Sequence, residues 1–204
     1  MIPLRYFLLL FALGGTFMPG QAQKLVLHAY MEQRTAPAAS DTIYYDFNKP
    51  LVWKDFKGKP ESNNFAGAMT ASGFAFDSHM TDDGHTLVVD IGIYTFFTKH
   101  DSWKKPDIHS AYHLLHEQHH FDITRIGAED FLNALRKAKF TSSNYKSLLT
   151  RIFNSCYDQN VALQQQYDRE TNHSLNIPAQ TEWNQKISAA ISQIRKEEVK
   201  HPVW

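Results

Sequence analysis

The sequence predicts an α+β fold in which an N-terminal antiparallel β-sheet is followed by a helical half. Residues 42–98 are rich in β-branched and aromatic residues and include the turn signal Asp82-Asp83-Gly84. From Pro106 onward, apolar residues recur at helical spacing through most of the remaining chain. We therefore expect residues 23–105 to be mainly β and residues 106–204 to be mainly α.

Three segments of the N-terminal half have the composition of strands. Lys24–Tyr30 is the first, Met69–Phe76 alternates with small residues, and Thr86–Phe97 is dense in β-branched and aromatic residues. The turn between the last two predicts an antiparallel hairpin. Thr86–Phe97 is also the candidate for a strand whose edge binds a peptide substrate by strand addition.

Three long helices are predicted in the C-terminal half. The first runs from about His109 to Lys139, a break at Ser142–Asn144 precedes the second at Tyr145–Thr171, and the third covers about Ala179–Lys196 after a stop at Pro178. The only cysteine cannot form an intramolecular disulfide and is expected in the core, not as a nucleophile. It belongs to a stripe of the second helix that we expect to be buried: Leu149, Phe153, Cys156, Asn160, Leu163, Tyr167 and Thr171.

Residues 1–22 have the features of a bacterial secretory signal peptide. Arg5 gives a positive start, Tyr6–Phe17 is mainly apolar, and small residues precede an expected cleavage after Ala22. The alternative is an uncleaved anchor, but the apolar run is short for a membrane span. We expect an exported protein, periplasmic or secreted, with no membrane span after cleavage.

Length and charge narrow the choice of fold and partner. The 204 residues suit a single domain over residues 23–204. The 21 acidic and 21 basic residues are well mixed and give a formal net charge of zero. This balance lacks the basic surface that nucleic acid requires, so no nucleic-acid partner is expected. The sequence carries no signal of the oligomeric state.

The most specific motif is His116-Glu117-Gln118-His119-His120, an H-E-x-x-H sequence inside the first predicted helix. On a helix, His116 and His120 share one face and can hold one metal ion, and Glu117 lies beside them. That arrangement is typical of a zinc hydrolase. The alternatives are a polar helix face without a ligand and a His116/His119 pair, and the position of Glu117 favours His116 with His120.

The motif lies in a stripe of histidines that includes His109 and His113. An apolar stripe flanks it, which indicates that both are partly buried. Buried imidazoles need partners, and a metal ion is one. For His109 and His113 we expect a hydrogen-bonding or surface role. The apolar stripe consists of Leu114, Phe121, Ala128 and Leu132.

A catalytic zinc usually has three protein ligands and a water molecule, so a third ligand is needed. The tract from Tyr167 to His173 offers His173, Glu170 and Asp168 at the end of the second helix. His173 is favoured because imidazole is the commoner ligand, and Asp168 would then orient a ligand histidine. An ordinary polar helix end is the alternative interpretation.

Five motifs of the chain are His116-Glu117-Gln118-x-His120-Phe121-Asp122, Tyr167-Asp168-x-x-Thr171-x-His173, Gln180-x-x-Trp183, Trp53-x-Asp55-Phe56-x-Gly58-x-Pro60 and Ser102-Trp103. They resemble the bacterial predicted secreted zinc-dependent proteases known as domain of unknown function 922. The resemblance covers roughly residues 43–190 and differs from the family pattern at Ser174, where glycine is usual. It implies a zincin-like metalloprotease domain and supports His173 as the third ligand. Trp53 and Phe56 also have a simpler interpretation as packing anchors.

Together these features predict an exported zinc-dependent metallopeptidase acting on a peptide or protein substrate. Zn²⁺ would be held by His116, His120 and His173, and Glu117 would act as general base. Tyr167 is the candidate donor to the tetrahedral intermediate. The alternatives are a noncatalytic zinc-stabilised binding module and a zinc amidase acting on cell-wall peptides.

Overall fold

A computed structural model describes residues 23–61 and 66–200. The α+β order predicted from the sequence is confirmed, and the predicted signal peptide lies outside the described residues. The strands are β1 (Lys24–Met31), β2 (Thr42–Tyr44), β3 (Ala68–Met69), β4 (Ser72–Asp82), β5 (Thr86–Thr98) and β6 (Trp103–Lys104), with a short 3-10 helix at Trp53–Asp55. The helices are α1 (Ala111–Lys137), α2 (Tyr145–Thr171) and α3 (Ile177–Lys200).

The main sheet is mixed because its central strand, β5, has neighbours of both directions. The predicted hairpin is present, and β4 runs antiparallel to β5 along one edge. On the other edge, β1 pairs parallel to the first part of β5 and β2 pairs antiparallel to its end. Both edges of β5 are therefore occupied. The prediction that Thr86–Phe97 offers a free edge to a peptide is wrong.

Helix α1 packs on one face of the sheet and forms the main core. Val89, Ile91 and Ile93 of β5 contact this core, in which Phe131 of α1 is fully buried. Cys156 of α2 belongs to the same cluster, as predicted. A second cluster joins the three helices through Ile123, Tyr167, Trp183 and Ile187. The helices that carry the H-E-x-x-H motif and the tract Tyr167–His173 are thus packed together through buried side chains.

A tight turn joins α2 to α3. Asn172, His173 and Ser174 have positive φ values of 48°, 51° and 71°, so a left-handed turn forms although serine stands where the family pattern has glycine. Helix α3 begins at Ile177, and Pro178 lies in its first turn, where a missing N–H costs little. The sequence predicted that Pro178 would stop the chain before the helix. That prediction is wrong, because Pro178 lies inside the helix.

None of the helices in the described ranges combines the length and the apolarity that a membrane crossing requires.

Gly127 lets α1 and α2 approach closely. A Cβ atom there would lie 2.4 Å from Nδ2 of Asn160, and this nitrogen donates a hydrogen bond of 2.8 Å to the carbonyl of Ile123. We expect Gly127→Ala to lower the free energy of unfolding by about 1–3 kcal/mol. Overpacking and the lost buried hydrogen bond outweigh the gain of about 1 kcal/mol in helix propensity.

Urea denaturation of Gly127→Ala measures this change. In an Asn160→Ala background the clash is absent, so the same substitution should cost less. A Gly127→Ala protein as stable as the wild type would contradict the close approach.

Candidate metal centre

Two imidazoles and a carboxylate meet between α1 and α2. Nε2 of His116 lies 3.3 Å from Oδ1 of Asp168, and Nε2 of His120 lies 3.1 Å from the same oxygen. His116 and His120 are one helical turn apart on α1, and Asp168 comes from the packed face of α2. Among the described residues, these three form the group whose ligand atoms are close enough together to hold a metal ion.

Each imidazole has a glutamine partner on its other nitrogen. Nδ1 of His116 is 2.8 Å from Oε1 of Gln180 on α3, and Nδ1 of His120 is 2.6 Å from Oε1 of Gln164 on α2. Such outer partners orient ligand histidines. Neither glutamine was predicted to have a role: Gln180 belongs to the motif Gln180-x-x-Trp183, and no sequence signal distinguishes Gln164.

The electrostatics of this group favour positive charge between the three residues. Burial raises the pKa of Asp168, but hydrogen bonds to His116 and His120 outweigh burial and hold that pKa well below its usual range. Burial lowers the pKa of His120, but its bond to Asp168 and the charge of Glu117 raise that pKa to about 9. A cation in this position would meet the same stabilising field.

Asp168 takes the place in the group that we expected for His173. His173 lies beyond the end of α2, with Nδ1 3.4 Å from Oδ1 of Asp168 and a side chain that is 42% exposed. Glu170 points elsewhere: its two oxygens accept hydrogen bonds from Gln166 and from the indole N–H of Trp183. The physical reason is helix geometry, since Asp168 lies on the turn that faces α1.

Glu117 is buried beside the group and is held by a threonine. Thr70, in the link between β3 and β4, donates a hydrogen bond of 2.7 Å to Oε2 of Glu117. No local signal pointed to Thr70, because its contact with Glu117 spans 47 residues of the chain. The carboxylate thus keeps a defined orientation next to His116 and His120.

Tyr167 lies beneath the imidazoles and does not line the cavity. Its ring stacks on His116 with 4.6 Å between ring centroids, and the side chain is fully buried. Its hydroxyl donates to the carbonyl of His116 and accepts from Nε2 of Gln180. The predicted role of Tyr167 as a donor to the tetrahedral intermediate does not fit this position, and the ring instead supports the imidazole.

The remaining histidines of α1 lie outside the group. His119 is buried, and its Nδ1 pairs with Oδ2 of Asp122 at 2.9 Å, so the His116/His119 alternative does not describe this site. Nδ1 of His113 lies 2.7 Å from the hydroxyl of Ser110, which is the hydrogen-bonding role predicted for one of His109 and His113.

A cavity of about 670 Å³ opens above the group. One wall is formed by residues 66–74, apart from Ala71, and another by α2 from Tyr157 to Asp168, and the turn after α2 closes the end near His173. Glu117 also lines this cavity. Its volume suits a short peptide or a ligand of similar size.

A family model described as "Bacterial protein of unknown function (DUF922)" matches residues 100–174. The match supports the family assignment that the motifs indicated. It spans 75 of the 204 residues and includes His116, Glu117, His120 and Asp168. Gln180 lies outside the matched segment. The comparisons with curated proteins and with solved structures gave no match.

The upstream motif residues pack against the end of β5 and the link from β5 to α1. The N–H of Gly58 donates to the carbonyl of Ser102 at 2.7 Å, and a Cβ at Gly58 would lie 2.6 Å from the carbonyl oxygen of His100. Phe56 packs in a buried aromatic cluster, and the indole of Trp53 donates to the carbonyl of Ser110. These contacts agree with the interpretation of Trp53 and Phe56 as packing anchors.

Proposed function

We propose that this protein is an exported zinc-dependent metallopeptidase with His116, His120 and Asp168 as metal ligands and Glu117 as general base. The observation that carries the proposal is the meeting of three ligand atoms from two helices beside a buried carboxylate. All four side chains line one cavity. A closed structural site would need no carboxylate of this kind beside its ligands.

The donor set fits zinc. Two imidazoles and one carboxylate are a ligand set of catalytic zinc sites, and three protein ligands leave one position for water or substrate. Both imidazoles turn Nε2 toward Asp168 and use Nδ1 for an outer partner, as ligand histidines usually do. When bound, Zn²⁺ supplies a Lewis acid that polarises a substrate carbonyl and lowers the pKa of water toward ~7.

Three residues near the metal site have roles other than binding the metal: Glu117, Thr70 and His173. Glu117 takes a proton from the attacking water and passes it to the leaving amine. Thr70 holds one oxygen of Glu117, so the carboxylate meets the water without a reorientation. His173, at the cavity wall beside Asp168, contacts the substrate and not the metal.

Zinc content and peptidase activity of the mature chain from Gln23 test this proposal together. We expect about one zinc ion per chain, loss of peptide hydrolysis on chelation, and recovery on adding zinc back. Cell-wall peptides should be included as substrates, since a zinc amidase would hydrolyse only these. Bound zinc without hydrolysis of any substrate would instead indicate a noncatalytic binding module, and a chain without zinc would refute the proposal.

A further inference from the structure

We infer that Gln164 and Gln180 are positioning residues that force both ligand histidines to present Nε2, and not Nδ1, to the metal. The inference rests on the proposed function for its effect on zinc, whereas the histidine tautomers can be tested without metal. The two glutamines lie on different helices, α2 and α3, and make the same kind of bond to the two imidazoles.

The orientation of the Gln180 amide follows from its neighbours. Its Nε2 lies 2.7 Å from the hydroxyl of Tyr167 and 2.7 Å from Oδ1 of Asn184. The tyrosine hydroxyl directs its own hydrogen at the carbonyl of His116, so toward Gln180 it can only accept. Nε2 is therefore the atom on that side, and Oε1 faces Nδ1 of His116.

The orientation of the Gln164 amide is set by the backbone. Its Nε2 lies 2.8 Å from the carbonyl oxygen of His120 and 3.0 Å from the hydroxyl of Thr124. A carbonyl oxygen has no hydrogen to donate, so the atom that faces it must be the amide nitrogen. Oε1 of Gln164 therefore faces Nδ1 of His120.

An amide oxygen accepts hydrogen bonds and cannot donate them. Nδ1 of each imidazole must then carry a hydrogen, and a neutral ring keeps its lone pair on Nε2. Both lone pairs point at Oδ1 of Asp168, from 3.3 Å and 3.1 Å. Without a metal ion, a proton on Nε2 of His120 makes the hydrogen bond to Oδ1 of Asp168, and a metal ion that displaces this proton takes up both lone pairs. The two amides thus prepare the site for a metal ion.

This role can be separated from a general packing role by substitution. Gln164→Leu and Gln180→Leu remove the acceptor, and we expect each to weaken zinc binding by ~10–100-fold in competition with a chromophoric chelator. Gln164→Glu and Gln180→Glu keep an acceptor toward Nδ1, and a proton on the second carboxyl oxygen replaces the amide N–H, so both should bind zinc more tightly than the leucine variants. Matched controls are Gln165→Leu, next to Gln164 in the cavity wall, and Gln185→Leu, exposed on α3.

Long-range ¹⁵N–¹H correlation spectra of the imidazoles give a second measurement. In the zinc-loaded wild type, we expect hydrogen on Nδ1 and the metal on Nε2 in both rings. In each leucine variant the ring that lost its partner should show mixed tautomers. If a leucine variant does not fold, as judged by circular dichroism, the glutamate variants replace it, and a hydrogen on Nε2 in them would refute the inference.

Two results would overturn the inference: zinc-loaded wild-type rings that carry hydrogen on Nε2, or leucine variants that bind zinc as tightly as the controls. A wild type that binds no zinc would refute the proposed function, but not the inference. The hydrogens on the ring nitrogens would then be read in the metal-free protein. Hydrogen on Nδ1 of both rings would still support the assigned role of the amides.

Discussion

Glu117→Gln is expected to abolish peptide hydrolysis while leaving zinc bound. An amide cannot accept the proton of the attacking water, and the loss of a general base typically lowers kcat by ~10²–10⁴-fold. The amide oxygen can still accept the hydrogen bond that Thr70 donates to Oε2, so the side chain should keep its place. The measurements are kcat on a peptide substrate and the zinc content of the purified protein.

The matched control for this prediction is Glu182→Gln, which changes the same group at an exposed position on α3. It should have wild-type activity. Loss of zinc together with activity in Glu117→Gln would mean that Glu117 holds the metal or the fold. Full activity would mean that another group is the base, and the proposed mechanism would be refuted.

The sequence predicted the helices well and the sheet only in part. The bounds of α2 agree with the prediction because its apolar period and its flanking break at Ser142–Asn144 are local signals. Strand β1 was also recognised, but its parallel pairing with β5 was not. Alternation along a strand shows which face is buried and does not show which strand lies beside it. That neighbour is set by contacts such as Lys24 with Thr86.

In the site, too, the residues that lie close in sequence could be predicted, whereas those brought together by tertiary packing could not. The spacing of the H-E-x-x-H motif on one helix is enough to predict that His116, Glu117 and His120 lie close together. The roles of Tyr167 and Asp168 do not follow from spacing alone. Neighbouring residues on a helix point about 100° apart, and only the packing of α2 shows which of the two faces the cavity. Imidazole is the commoner ligand, which favoured His173, yet α2 ends before that residue.

Asp168→Asn is expected to reduce zinc affinity far more than the loss of either other candidate ligand. The substitution keeps the size of the side chain but removes the charge that faces both Nε2 atoms. Since loss of an outer partner already costs ~10–100-fold in metal affinity, loss of a ligand charge should exceed ~100-fold. Zinc dissociation constants from chelator competition measure this effect.

His173→Ala and Glu170→Gln separate Asp168 from the other two candidates. His173→Ala should bind zinc with an affinity within ~10-fold of the wild type, a smaller loss than that expected when an outer hydrogen-bond partner is removed. Its main effect should be on turnover. Glu170→Gln should leave zinc affinity unchanged, because its carboxylate pairs with Trp183 and Gln166. Asp158→Asn, exposed on the same helix, controls for lost charge on α2. If His173→Ala lost zinc while Asp168→Asn kept it, the imidazole beyond the end of α2 would be the third ligand, and that turn would have to close over the metal.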